Sequence, residues 1–331
     1  MKDLYALLSY QGINPCPSDF TEYWQRALAE LDSQPLEYEL EPESALPGAE
    51  RYHLWFSGVG GARIHAKLVK PRAAGTSFPA IALFHGYSDN CGDWFSKLPW
   101  VSSGFVCAAM DVRGQGGLST DPLCTQGNTH RGHIVRGALD EKPEALFYRN
   151  VFLDTVQLMR ILAKLPYVDE TRLGAYGSSQ GGALTVACAA LEPRVRAIAI
   201  GCPFLSDYKG VWALDAPMQP EAAYRELYLH FRKKDPLHEH EDEFWKRLGY
   251  IDVHHLAQWV KADSLFFSGL QDITCPPESQ FAVYNHLAGE KQLCVYPECG
   301  HEIFPEQDDR AMEFFIRKLN NINPAFHKKT K

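Results

Sequence analysis

Six short apolar runs without polar alternation punctuate this chain, at Ala80 to Phe84, Phe105 to Met110, Leu173 to Tyr176, Ala197 to Ile200, Leu265 to Phe267 and Leu293 to Tyr296. A strand with one wet face alternates, so runs of this kind suit strands buried on both faces, as in a parallel sheet covered by helices. Helical patterns lie between several of them, for example Phe152, Val156, Met159 and Leu162, then Ala183 to Leu191. Strand and helix therefore alternate, which predicts a mostly parallel, helix-flanked sheet of the α/β class. Ahead of it, Tyr52 to Ser57 and Ala62 to Val69 flank Gly58-Val59-Gly60-Gly61, a pattern for an antiparallel hairpin. Earlier still, Phe20, Trp24, Leu28 and Leu31 predict an amphipathic helix after Ser18 as N-cap. The stretch 204–260 is too long for a simple crossover and is rich in charge and aromatics, so it reads as a helical insertion over the sheet. No repeat, low-complexity tract or Pro/Ser-rich linker forces a boundary. The expectation is one domain over 1–331, with residues 204–260 as a cap-like insertion.

Composition removes several classes of function. A hydrophobic fraction of 45% and a charged fraction of 22% are ordinary for a globular protein. A net charge of −8 argues against nucleic acid or an anionic membrane as the main partner and leaves a small-molecule substrate open. Met1 to Pro15 lacks the layout of a secretory signal, and no apolar stretch has the length of a membrane helix. Nine cysteines are an odd number, and the closest pair, Cys294 and Cys299, lacks the spacing of a zinc knuckle. Reduced thiols in a cytoplasmic protein are the expectation.

Gly177-Ser178-Ser179-Gln180-Gly181 follows one apolar run directly and precedes a helical run directly. A serine nucleophile on a tight strand-to-helix turn needs small residues two before and two after it, which is the elbow of the α/β-hydrolase fold. That register selects Ser179 over Ser178, because Tyr176 would crowd the turn two residues before Ser178. In this fold the acid and then the histidine follow the nucleophile. Asp272 ends the run Ser264 to Gly269, and His301 follows the last apolar run within Glu298-Cys299-Gly300-His301-Glu302. In a triad of this kind the serine attacks an acyl carbon, the histidine takes and returns its proton, and the aspartate holds the imidazole tautomer. The chemistry needs no metal. It does need two donors for the oxyanion, expected from the backbone N–H groups of Gln180 and of Tyr87 in His85-Gly86-Tyr87.

Asp111-Val112-Arg113-Gly114-Gln115-Gly116, the Ser179 motif with its Gln180, and His301-Glu302 together resemble the signature motifs of the acetyl xylan esterase and cephalosporin C deacetylase family, carbohydrate esterase family seven. The likeness runs from the N-terminal helix to about Leu319. It implies an α/β-hydrolase that deacetylates small acetylated sugars, xylo-oligosaccharides and cephalosporin-type acetates without a cofactor. It also implies the triad Ser179, Asp272 and His301, oxyanion donors at Tyr87 and Gln180, and a hexamer. Pro203-Phe204-Leu205-Ser206-Asp207-Tyr208 resembles the segment beside the acyl site, which makes Tyr208 a pocket candidate. Other hydrolases of this fold, such as a broad carboxylesterase, a dienelactone-type hydrolase or a serine peptidase, are the competing enzymes. A binding protein on a dead scaffold is the competing class, although here all three triad positions are filled.

Arg113 reads as a structural donor to nearby carbonyls. His238-Glu239-His240-Glu241-Asp242 and His254-His255 lack the spacing that puts two ligands on one helix face, and both read as solvated charge rather than metal sites. Trp94, Trp100, Trp212, Trp245 and Trp259 read mainly as packing or subunit contacts.

Overall fold

The computed structural model describes residues 4–73, 77–127, 132–215, 218 and 222–320, so the tail beyond Asn320 and parts of 204–260 lie outside the described residues. Two helices, α1 (Leu4–Ser9) and α2 (Phe20–Asp32), lead into an antiparallel ribbon of β1 (Tyr38–Pro42), β2 (Ala49–Ser57) and β3 (Arg63–Pro71). The hairpin register pairs Ser57 with Arg63 across the glycine turn, where Gly60 and Gly61 both take positive φ. The chain then alternates through β4 (Phe78–Phe84), α3 (Leu98–Ser102), β5 (Val106–Met110), α4 (Phe147–Lys164), β6 (Val168–Ser178), α5 (Gln180–Leu191) and β7 (Val195–Gly201). Among the described residues four α-helices follow, α6 (Tyr208–Ala213), α7 (Arg225–Lys233), α8 (Glu241–Gly249) and α9 (Val253–Ala257). The chain closes with β8 (Asp263–Gly269), α10 (Pro277–His286), β9 (Lys291–Tyr296) and α11 (Gln307–Leu319).

The described strands form one nine-stranded sheet in the order β1-β2-β3-β5-β4-β6-β7-β8-β9, antiparallel up to the β3/β5 pair and parallel from β5 to β9. Successive side chains of its inner strands enter two different cores, as buried parallel strands require. Ala80, Ala82, Ile198, Ile200 and Phe266 pack with α4 and α5, whereas Ile81, Ala197, Ala199, Leu265 and Phe267 pack with α11. This is the mostly parallel, helix-flanked sheet expected from the six runs. It sets Phe84, Ser178, Gly201, Gly269 and Tyr296 at the C-terminal ends of adjacent parallel strands.

Two local expectations change. Asp19, not Ser18, takes the N-cap position of α2, and it makes no side-chain cap there. Its carboxylate instead accepts from Tyr250 Oη at 2.5 Å and from Arg26 at 3.4 Å. His254 and His255 are buried rather than solvated, with ring centroids 3.9 Å apart. The cause is Asp252, which caps α9 and bonds His254 Nδ1 at 2.6 Å while also accepting the amide of Asp207 at 2.9 Å. The strand β1 carries no apolar pattern, since it is an exposed edge. The pairs His238–Glu241 and His240–Glu243 are solvated, as read.

Arg113 is structural. Its guanidinium grips Asp154 with two 2.7 Å bonds and donates to Val59 O at 3.1 Å, with Arg113 and Asp154 both 1% exposed. A Cβ at Gly58 would lie 2.3 Å from Asp154 Oδ1, so the hairpin turn needs glycine for this pair to close beneath it. Removing one partner of a buried pair strands the other charge. Asp154→Ala should therefore lower unfolding stability by about 3–5 kcal/mol in denaturant titration. A loss no larger than the ~0.5 kcal/mol of a surface change would contradict this structural role.

Candidate active site

The turn between β6 and α5 forces the site's geometry. Ser179 adopts φ 58 and ψ −122, in the positive-φ region that a side chain rarely takes. Its amide donates to Gly201 O at 2.9 Å, and its carbonyl accepts the amide of Phe204 at 3.0 Å, so the end of β7 clamps the turn. A Cβ at Gly181 would sit 2.0 Å from Phe84 O, and one at Gly177 would sit 2.5 Å from the Gly181 backbone. Both glycines are thus sterically required, and Ser179 is left projecting at the sheet's edge.

The three sequence-selected side chains come together. Ser179 Oγ lies 3.0 Å from His301 Nε2, and His301 Nδ1 lies 2.8 Å from Asp272 Oδ2. Asp272 is fixed by the amides of Thr274 and Cys275, each 2.8 Å from Oδ1, and by Gln280 Nε2, 3.0 Å from Oδ2. Its loop follows β8 and that of His301 follows β9, two neighbouring strand ends, which brings residues 29 apart in sequence into contact. Glu302 accepts the amide of Gly300 at 3.0 Å and so braces the histidine loop. Ser178 points elsewhere: its Oγ accepts from Gln307 Nε2 at 2.8 Å.

Burial works against the imidazolium of His301, yet contact with Cys275 and with the Asp272 carboxylate outweighs it and sets its pKa above the ordinary value. Burial pushes the Cys275 thiol up to about 12. Such an arrangement can deprotonate Ser179 and hold the proton on an oriented imidazole.

The two candidate oxyanion donors lie on either side of this turn. Among the described residues, neither the amide of Gln180 nor that of Tyr87 has a protein acceptor. The Gln180 side chain explains why a glutamine stands there. Its amide and that of Gln115 exchange bonds of 2.7 and 3.0 Å, while Gln115 Oε1 also accepts the amide of Ser88 at 3.0 Å. Tyr148 Oη donates to Gln180 Oε1 at 2.9 Å. The two motif glutamines therefore clasp each other and tie down the loop that carries Tyr87. His85 completes the tie, accepting the Val112 amide at 3.0 Å. A cavity of about 760 Å³ opens onto Ser179 and His301 and is lined further along by Cys202, Lys97, Trp100 and Met312.

Tyr208 does not reach this cavity. It is fully buried and donates its hydroxyl to Ile251 O at 3.4 Å. The rings of Phe204 and Tyr224, packed edge to face, stand between it and Tyr87, with centroid distances of 5.7, 4.6 and 6.0 Å along the series. Sequence reasoning also missed Glu226 of α7. This carboxyl is buried and accepts from the amides of Ile134 and Val135 at 3.2 and 3.4 Å and from Tyr87 Oη at 3.2 Å. Tyr87 Oη in turn accepts the amide of His133 at 2.6 Å. No local pattern marks Glu226, because a glutamate in a charged helix is ordinarily solvated.

Comparison with known proteins places these features in context. The sequence profile described as "Acetyl xylan esterase (AXE1)" matches residues 2–319. The crystal structure of acetyl xylan esterase 1 from Thermoanaerobacterium sp. JW/SL YS485 superposes with a TM-score of 0.92 at 50% identity, covering 95% of this chain and 98% of that one. The acetyl xylan esterase of Paenibacillus sp. R4 superposes with a TM-score of 0.91 at 33% identity, covering 96% of this chain and 100% of the other. The curated acetyl esterase Axe7A of Xylanibacter ruminicola is 25% identical over 292 residues, which is 85% of this chain but 62% of that longer protein.

Burial raises the pKa of Glu226 from 4.5 to about 7. A carboxyl whose folded pKa is raised contributes stability below its unfolded pKa and loses that contribution as pH climbs through the folded value. Thermal stability should therefore decline between about pH 4.5 and about pH 7 by an increment that Glu226→Gln removes, checked by melting curves across that range. Identical pH dependence in the two proteins would contradict the environment assigned to Glu226.

Proposed function

The chain belongs to the acetyl xylan esterase family of carboxylic ester hydrolases, and from that premise we propose that it removes acetyl groups from small acetylated carbohydrates through an acyl-enzyme on Ser179. The observation that carries this reading is the continuous link from Ser179 Oγ through His301 to Asp272, at 3.0 and 2.8 Å. His301 Nε2 takes the serine proton as Oγ bonds to the acetyl carbon. The developing oxyanion is met by the amides of Tyr87 and Gln180. His301 then protonates the sugar oxygen as the C–O bond breaks, and a water activated by the same imidazole releases acetate and frees Ser179. Arg113 and Ser178 take no part in these steps.

Acetates of the cephalosporin type fall within the same reading, since the chemistry acts on the acyl group and leaves the alcohol side to an open cavity. We read the chain as one domain in which 204–260 caps the sheet. The described helices of that stretch and the Glu226–Tyr87 bond support this. Among the described residues no helix is long and apolar enough to cross a membrane. All nine cysteines are free thiols, which favours a cytoplasmic setting. A hexamer is the assembly the family resemblance implies, and light scattering should return a mass several times that of the 37.3 kDa chain. A mass equal to one chain would rule it out.

Two kinetic outcomes test the mechanism. Ser179→Ala should be inactive and Ser178→Ala active, and Asp272→Asn should lose on the order of 10⁴-fold in kcat, as triads do when the tautomer is wrong. An inactive Ser178→Ala beside an active Ser179→Ala would displace the nucleophile.

Acyl preference separates a deacetylase from a broad esterase. Each methylene buried in an open apolar pocket gains up to about 0.8 kcal/mol, so a broad esterase improves with acyl length. In this reading Tyr87 closes the acyl side, with the rings of Phe204, Tyr224 and Tyr208 in series behind it, and kcat/KM should fall from acetyl to propionyl to butyryl. Faster cleavage of hexanoyl than of acetyl esters would leave a serine esterase but not a deacetylase.

A further inference from the structure

We propose that the thiol of Cys202, the imidazole of His301 and the carboxylate of Asp272 form an inhibitory binding site for a thiophilic divalent cation, with Zn²⁺ as the natural fit. One ligand atom from each of the three lies within 4.8 Å of the other two. Thiolate, imidazole and carboxylate are zinc's own donor set, and bonds of roughly 2.0–2.3 Å in a tetrahedral site bring neighbouring donors to within about 4 Å of one another. Small shifts close that gap. The His301 side chain is 23% exposed on a loop, while Asp272 is held rigidly by backbone amides. A route from solvent exists, because Cys202 and His301 both line the cavity that reaches Ser179.

Two other clusters offer similar donors, His65 with Cys91 and Asp111, and Asp252 with His254 and His255. Every member of those clusters is buried, both imidazole and carboxylate, whereas His301 is only partly so. Only the group at the triad combines a thiol, a partly exposed imidazole and an open cavity, among the described residues.

On binding, the hydrated cation sheds waters, the Cys202 thiol gives its proton to solvent, and the thiolate sulfur bonds the metal. The imidazole of His301 gives up to solvent any second ring proton it holds, supplies a nitrogen lone pair and keeps one proton on the other ring nitrogen, and an Asp272 oxygen exchanges its bond to the ring for one to the metal. No electron transfer is involved. Thiolate and carboxylate balance the two positive charges. An imidazole held in this way cannot accept the Ser179 proton, so ester hydrolysis stops until a chelator removes the metal. The inhibition rests on the function proposed above, but the binding does not.

The test uses the full chain with Zn²⁺ as inhibitor and Cd²⁺ as optical probe of thiolate coordination. Zn²⁺ should inhibit hydrolysis of an acetyl ester reversibly, and Cd²⁺ should produce a thiolate-to-metal absorption band saturating at one ion per chain. Cys202→Ala and Cys202→Ser should lose the band and, each measured against its own metal-free rate, need at least about tenfold more Zn²⁺ for the same fractional inhibition. Ser179→Ala should keep the band. Were Ser179→Ala to retain full esterase activity while Cd²⁺ still bound through Cys202, the cation site would stand and the reading of the nucleophile would fall. Inhibition unchanged in both Cys202 variants, or a band lost in Cys91→Ala but kept in Cys202→Ala, would overturn the proposal.

Discussion

The contact between the Gly177–Gly181 turn and the end of β4 constrains everything around it. With a hypothetical Gly181 Cβ only 2.0 Å from Phe84 O, the turn tolerates no side chain at that position, and the approach drives Ser179 to φ 58. Strain of this kind costs on the order of 1–3 kcal/mol and persists only where surrounding bonds over-determine it. Here they do, through the amide and carbonyl of Ser179 bonded to β7 and its following loop. The same approach brings the 85–88 loop alongside the start of α5, so one steric requirement places the serine and both candidate oxyanion donors together.

The two glutamines of the motifs convert that proximity into rigidity. A single hydrogen bond nets about 1 kcal/mol, but the Gln115–Gln180 exchange closes a cycle with Ser88, Tyr148 and the 85–86 carbonyls in which each amide group has partners. From the other side, α7 sends Glu226 to the Tyr87 hydroxyl and to the amides of 134 and 135. A Cβ at Gly132 would lie 2.1 Å from both Tyr87 Oη and Glu226 Oε1, which shows how little room this junction leaves. The segment between β7 and β8 thus supplies a buried partner to the loop that carries Tyr87.

Much of this was legible because it is written locally. Unalternating runs mark buried strands, paired glycines mark the turn, and the order of Ser179, Asp272 and His301 follows the order of strand ends. Other features depended on partners far away in sequence. The edge strand β1 has no apolar face to announce it. His254 and His255 read as solvated until Asp252 draws them inward beside the 203–207 loop. Tyr208 carries the right residue type in the right segment, yet two aromatic rings intervene between it and Tyr87. Glu226 and Cys202 meet partners distant in sequence that no spacing rule encodes, and Gln280 turns back from α10 onto Asp272 eight residues before it. The resemblance at Gln115 and Gln180 flagged their importance without showing that each is the other's partner.

The central claim is that Ser179 carries the acetyl group between its transfer from the ester and its release as acetate. Rapid mixing with an acetyl ester, acid quench within a turnover and peptide mapping by mass spectrometry would test this directly. The account requires the mass of one acetyl group on the peptide containing Ser179, located at that residue by fragmentation and absent in Ser179→Ala. Acetylation located at Ser178, or turnover without any covalent acetyl on this peptide, would contradict it.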